Sequence, residues 1–338
     1  MKKATTKILL AALSLVMALG IATGSTFAWF TANRTVQIGA INATVTSGTQ
    51  GLYVAIWDQS ASSGEGAYTA FEAGWDANAI TAAVFGSTQN PSGTVLLDAL
   101  TSANNGETLT RENSQTAVTF SATAQNNAFL EIKLKFRTTT AQDIYLGYDG
   151  SNFNSTISPV GNYNSTPVLA WTTIAADTYG THSQIAASAA LETRAAYAAR
   201  VAFLTTANSE TTGVVWAPYD YTTDNSDGYN TQAGFYKGNL ARDYRNNLLD
   251  MNSTYTVANT NAVKLELDSN AESNTITTGA TKIVSTTDNG HGQFDAEVTV
   301  RIWIEGTDGD CLNSIFSDIL AVNLVFNCID TPQQQGNG

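Results

Sequence analysis

Histidine, cysteine, methionine and proline are all scarce in this 338-residue chain, with two, two, three and five copies respectively. Each scarcity excludes something. A zinc peptidase needs two His on one helical face with a Glu between them, but His182 and His291 stand far apart, each among the Thr, Gly and Asn of a loop. There is no Gly-x-Ser-x-Gly elbow to present a nucleophilic serine and no glycine-rich loop shaped to cradle phosphate. Paired carboxylates for sugar hydrolysis can be drawn from 29 acids almost at will, so no pair is singled out. The expectation is a protein without catalytic residues and without an organic cofactor. The five prolines form no linker, and no internal repeat divides the chain.

Positive charge is also short. Sixteen basic residues face 29 acidic ones, a net charge of -13, and the basic ones form no patch. Affinity for phosphate backbones is built from clustered Lys and Arg, so nucleic acid is excluded as a partner. Charged residues make up only 13% of the chain, while Thr, Ser, Asn, Ala and Gly abound. That is the profile of an exported β-protein with hydroxyl-rich strands.

Export is written at the start. Lys2, Lys3 and Lys7 precede an uncharged run from Ile8 to Phe30, and Thr26 and Ala28 supply the small-x-small pattern of a signal-peptidase site, with cleavage at Ala28 or Trp29. Residues 1–28 therefore read as a signal helix and residues 29–330 as the folded domain. The localisation expected is extracellular or at the cell surface, by the general secretory route. The run is also long enough to stay in a bilayer as an anchor, since about 20 apolar residues suffice; cleavage and retention are both open at this point. In an exported chain, Cys311 and Cys328 read as one disulfide, which would contribute on the order of 3 kcal/mol. The alternative is a pair of buried thiols.

The fold signal is alternation. Leu130, Ile132, Leu134 and Phe136 alternate with Glu131, Lys133, Lys135 and Arg137. Phe294 to Ile304, Leu320 to Phe326, Val263 to Leu267, Val118 with Phe120, and Val201 with Phe203 repeat the pattern. Many one-sided strands separated by Gly, Asn and Asp turns predict an all-β, antiparallel sandwich. Three short helices are expected to decorate it, at Ile185–Ala199, Leu240–Leu249 and Leu312–Ile319. Ser60–Gly66, the 220s to Thr231 and Ser269–Thr278 read as loops, and 331–338 as a disordered tail.

Two weaker candidate sites remain. Glu305, Asp308 and Asp310 follow a strong strand, and Asp224 with Asp227 lie in a Gly-containing loop; hard oxygen ligands in such turns suit Ca²⁺, but neither set has the full spacing of a calcium loop, and solvated turn carboxylates are the preferred account. Trp303 has the parity opposite to Ile302 and Ile304, which makes it the candidate for an exposed aromatic that stacks on sugar rings; the commoner alternative is an aromatic covered by a loop or a second subunit.

The junction Thr26-Phe27-Ala28-Trp29-Phe30-Thr31, followed by Val36-Gln37-Ile38-Gly39, resembles the start of the TasA/camelysin family of exported fibre proteins, whose leaders are read by a SipW-type signal peptidase. Arg200-Val201-Ala202-Phe203, Val215-Trp216-Ala217-Pro218 and the run from Ile302 to Cys311 are similar to strand and turn motifs of larger surface proteins with such leaders. The chain departs from the smaller fibre subunits in its length and in its cysteine pair. The resemblance implies a jelly-roll sandwich and a homopolymer, with other matrix or surface proteins as further partners. It also implies that residues 30–45 leave their own domain as a donor strand to complete a neighbour's sheet. That segment spans about 50 Å when extended, and burying Phe30, Val36, Ile38 and Val45 in a neighbour is worth roughly 6 to 12 kcal/mol before ordering costs. The alternative is that it forms the first strand of its own domain. The function expected is a secreted filament subunit; the alternative is a membrane-anchored monomeric adhesin or glycan-binding module.

Overall fold

Alternating side chains with one apolar face need a second apolar face to cover them, and in the computed structural model two sheets supply it to each other. The structure describes residues 36–46, 51–58, 67–89, 95–102, 106–111, 116–121, 127–147, 155–159, 168–169, 190–191, 194–207, 210–216, 235–236, 280–306, 311, 315–316 and 318–330. All belong to one unit that begins at Thr35. No helix among the described residues is long and apolar enough to cross a membrane. The signal segment, the 331–338 tail, the Val263–Leu267 strand, the Leu240–Leu249 helix and the three polar loops lie outside the described residues.

The first sheet contains β1 (Val36–Thr46), β4 (Gly74–Trp75), β5 (Val95–Leu97), β9 (Gln142–Leu146), β10 (Thr156–Pro159), β16 (Lys282–Ser285) and β19 (Ile319–Asp330). Its order is β16-β9-β19-β1-β4, with β10 also on β19 and β5 also on β1. The second contains β2 (Tyr53–Asp58), β3 (Ala67–Tyr68), β6 (Ala99–Thr101), β7 (Thr110–Arg111), β8 (Leu130–Thr138), β13 (Ala199–Ala207), β14 (Glu210–Trp216), β17 (Thr287–Asp288) and β18 (Phe294–Glu305). Its order is β14-β13-β18-β8-β2-β3, with β6 and β17 also on β18. A small third sheet joins β11 (Val168–Leu169), β12 (Ala190–Leu191) and β15 (Phe235–Tyr236).

The inward residues are those the alternation marks. Leu130, Ile132, Leu134 and Phe136 of β8 and Leu320, Val322, Leu324 and Phe326 of β19 are buried in a single core cluster. Phe326 meets Phe136 edge-on at 4.8 Å between ring centres and Phe203 at 6.0 Å, so the two sheets share one core. Each such side chain contributes roughly 1.5–3 kcal/mol of burial.

Pairing is mainly antiparallel, but not throughout. β1 runs parallel to β19, and β6 runs parallel to β18. β1 opens the unit and β19 closes it, so no hairpin forces them to run in opposite directions.

The helices differ from expectation. α1 (Ala77–Gln89) was not foreseen; its Asp76 accepts the Ala79 N–H at 2.8 Å as a cap. Ile80, Ala83 and Val84 bury one helical face, and α1 packs on β1 and β2. The chain leaves helical geometry at Gly86, where φ is 70°. Among the described residues of the alanine-rich stretch before β13, Ala190–Leu191 form β12 and Ala195–Ala198 form one turn, α2, which ends where Ala199 pairs with Ile304 as a strand. Ile319, expected to end a helix, begins β19. Val118 and Phe120, read as a strand, lie in an irregular segment held by the Thr110–Ala117 bridge and by Val118 N–H on the Leu109 carbonyl at 2.8 Å.

Candidate functional site

The first strand is where the sequence placed function, and the structure shows how it is seated. β1 pairs with β19 from Gln37–Ile319 to Thr46–Asn327, with a bulge between Ile38 and Ala40. One extra residue reverses the parity of everything after it. The inward set therefore passes from Ile38 to Ile41, Ala43 and Val45, all buried. Each lies beside an inward residue of β19: Leu320, Val322, Leu324 and Phe326. On its other side β1 meets, among the described residues, two short strands, β5 from Val36 to Ile38 and β4 at Ala43 and Thr44. Within a single chain the candidate donor segment thus fills its own sheet. Val36 opens the strand opposite Leu97, and Phe30 lies outside the described residues. Ile41 and Ala43 were not named in advance, although past the bulge they share a face with Val45, which was; Gly39, a residue type common at bulges, was the signal of the change in parity.

The outward face of the second sheet holds the other candidates, and its two ends differ. At one end Trp303 is 0% exposed, which corrects its reading as a surface aromatic. Leu100, Leu109, Phe129, Ala202, Leu204 and Val215 form a second apolar cluster around it. Gly106, at φ 86°, lies so close that an added Cβ would stand 2.4 Å from the Ala202 Cβ and 3.4 Å from the Trp303 ring. Arg301 pins this cover: its Nε donates to Glu131 Oε2 at 2.8 Å and its Nη1 to the Gly106 carbonyl at 2.9 Å. The outward parity of Trp303 was right, but parity alone does not show what lies on top.

Glu305 is likewise 0% exposed, and its Oε2 accepts the Trp303 indole N–H at 3.2 Å. It is not the solvated turn carboxylate of a calcium loop. Asp308, Asp310, Asp224 and Asp227 lie outside the described residues, among which no group of three His, Cys, Asp or Glu is placed to hold a metal. Cys311 and Cys328 are both buried in the main apolar cluster. Cys328 continues the inward parity of Leu324 and Phe326, where cysteine packs as a small apolar side chain. Ala28 and Trp29, the expected cleavage position, are outside the described residues.

At the open end, cations of β8 lie beside acids of β18. Arg137 forks Asp295 with two bonds of 2.8 Å, and Lys135 Nζ reaches Glu297 Oε1 at 3.0 Å. Aromatic rings from β2, β3 and the segment after β3 back these cations: Lys133 lies over Trp57, Lys135 over Tyr68 and Arg137 over Phe71 at 3.8 Å. The Arg137 hydrogen bonds hold the Asp295 carboxyl below the usual carboxylate range against the opposing effect of burial. Burial, then the Glu297 charge, raises the Tyr68 hydroxyl above its ordinary value. The register of β8 against β18 creates this ladder, so only the alternating charges in each strand were legible in advance.

Comparison of the chain with protein-family models, with curated proteins and with solved structures gives no match.

Proposed function

We propose that this protein is a secreted structural subunit with a jelly-roll sandwich that polymerises into filaments at the cell surface or in an extracellular matrix. The link between subunits is β1, released from its own sheet and inserted into the same slot of the next copy. The leader is removed by a signal peptidase of the SipW type, as the Thr26–Thr31 junction and its resemblance to TasA/camelysin leaders imply, and no catalytic step belongs to the mature chain.

The observation that carries this reading is the seating of β1. Among the described residues it is the first element, it runs parallel to the last strand, and its far side is held by two short strands. Withdrawing it leaves β19 still paired with β9 and β10 and frees β4 and β5, whose ladders are to β1, so an open slot forms along β19. Ile38, Ile41, Ala43 and Val45 make the same contacts in a neighbour's slot as in their own. Contact energy then changes little on exchange, and concentration decides between closed monomer and open polymer.

The test is a comparison of the chain starting at Trp29 with one starting at Ser47, by negative-stain microscopy and sedimentation over a range of concentrations. The longer chain is expected to form filaments and the shorter one none, while a synthetic peptide of residues 30–46 binds the shorter chain and caps growth of the longer. A longer chain that stays monomeric at every concentration, or filaments formed without β1, overturns the reading.

A further inference from the structure

The turn between β17 and β18 carries an Asn-Gly dipeptide, Asn289-Gly290, between Asp288 and His291. Gly290 and Gly292 both have positive φ, 77° and 76°, and nothing lies within 4 Å of where a Cβ would stand on either. Asp288, Gly290 and His291 are exposed. A glycine after asparagine leaves its main-chain nitrogen unshielded toward the asparagine side chain.

Three hydrogen bonds organise that approach. The Gly290 N–H donates to Asp288 Oδ1 at 2.8 Å, which sets a carboxylate on the proton that the nitrogen must lose. The His291 N–H donates to Asn289 Oδ1 at 2.9 Å. This bond polarises the side-chain carbonyl as an oxyanion donor does, and it closes a ring of atoms that contains the Gly290 nitrogen itself. Asn289 Nδ2 donates to Asp295 Oδ2 at 3.1 Å, which orients the group that departs.

We propose that Asn289-Gly290 is a self-modifying site, at which the Gly290 nitrogen attacks Asn289 Cγ and converts residue 289 to aspartate and isoaspartate. The N–Cγ bond forms as Asp288 takes the Gly290 proton. The Cγ–Nδ2 bond then breaks, and the nitrogen leaves as ammonia carrying that proton. Water adds to either carbonyl of the resulting succinimide and opens it; no oxidant or reductant takes part.

The product changes the sheet. A carboxylate replaces the amide donor facing Asp295, so two like charges meet beside Arg137. In the isoaspartate form an added main-chain methylene disturbs the Asn289 N–H to Gln293 carbonyl bond of 2.9 Å that closes the hairpin. At a second Asn-Gly dipeptide, Asn105-Gly106, Gly106 is buried and its N–H donates to the Ser102 hydroxyl at 2.8 Å rather than to a carboxylate.

The experiment incubates the purified full chain and a synthetic peptide of residues 284–294 together at mildly alkaline pH, and follows residue 289 by peptide mapping with isoaspartate detection. Conversion is expected at least about tenfold faster in the folded chain than in the peptide, equivalent to about 1.4 kcal/mol of barrier, with Asn105 left intact. In an Asp288→Ala chain, with circular dichroism confirming the fold, the rate should fall to that of the correspondingly substituted peptide. A folded chain that converts no faster than the peptide overturns the proposal, as does an Asp288→Ala chain that keeps the full acceleration.

Discussion

β18 and β1 each lie inside a sheet and bury comparable side chains, yet they are held in different ways. β18 is clasped by a long ladder on each side: by β13 over its second half, from Ala199–Ile304 to Leu204–Thr299, and by β8 on the other side, from Leu130–Ile302 to Thr138–Phe294. Ion pairs on its outward face add to the ladder with β8. β1 has one long partner, β19, and two short ones. Ile38 and Val300 are 2% and 0% exposed, so burial does not separate the two strands. What separates them is the number of long ladders that must break for the strand to leave. A strand can therefore be a full member of the core and still be the part that is exchanged.

The strongest way to break the comparison is to remove what both sheets share. Phe136→Ala deletes the ring that meets Phe326 and is expected to cost about 3–5 kcal/mol. Urea unfolding followed by fluorescence and circular dichroism should shift as one transition; two separated transitions would mean that the sheets do not share a core.

Ile41→Ala attacks β1 alone and is expected to cost about 2–4 kcal/mol. Hydrogen exchange should rise along β1 and along β19 facing it, while β8 and β18 keep their protection. Equal loss in all four strands would remove the distinction between a clasped and an exchangeable strand.

Gly106→Ala tests the covered end of the second sheet. The positive φ and the 2.4 Å approach to Ala202 predict a loss of about 2–3 kcal/mol. Trp303 emission should move to the red as water reaches the indole, and exchange in β1 should not change.

The smallest effects are those of pH. Asp295 has its folded value depressed, so its contribution is present above the unfolded carboxylate value of about 3.9 and is lost as pH falls through the lower folded value. Asp295→Asn should flatten that acid limb. Tyr68 has its folded value raised, so its contribution holds below about pH 10 and declines as pH climbs from there through the folded value; Tyr68→Phe should remove the alkaline limb. Thermal melts across pH check both, and unchanged limbs would show that the open ladder adds nothing to the hold on β18.

Legibility in the sequence followed the kind of burial. β8 and β18 as far as Ile302 were readable because one face meets the core and the other is partly exposed, so polarity alternates; β19 was readable from the spacing of its large apolar residues, although Val325 and Asn327 on its other face are buried. The signal failed where both faces are covered, as at Trp303 and Glu305, because an outward residue under a loop has the same parity as one in solvent. It failed again at β1, where the bulge shifts the inward set to Ile41 and Ala43. α1 escaped because its Ala-rich face is weakly amphipathic, although Asp76 marked its start. Of the candidate site, the segment was visible but its parallel partner was not, since nothing local links Val36 to Ile319.

The sequence by itself determined the class of this protein: periodic apolar residues demand a shared core, and that demand is local and additive along each strand. Only the tertiary structure decided which strands lie side by side, which outward residues are roofed over, and which bonds surround Asn289. Register, cover and turn geometry depend on contacts between residues far apart in the chain, and no local pattern encodes their distance.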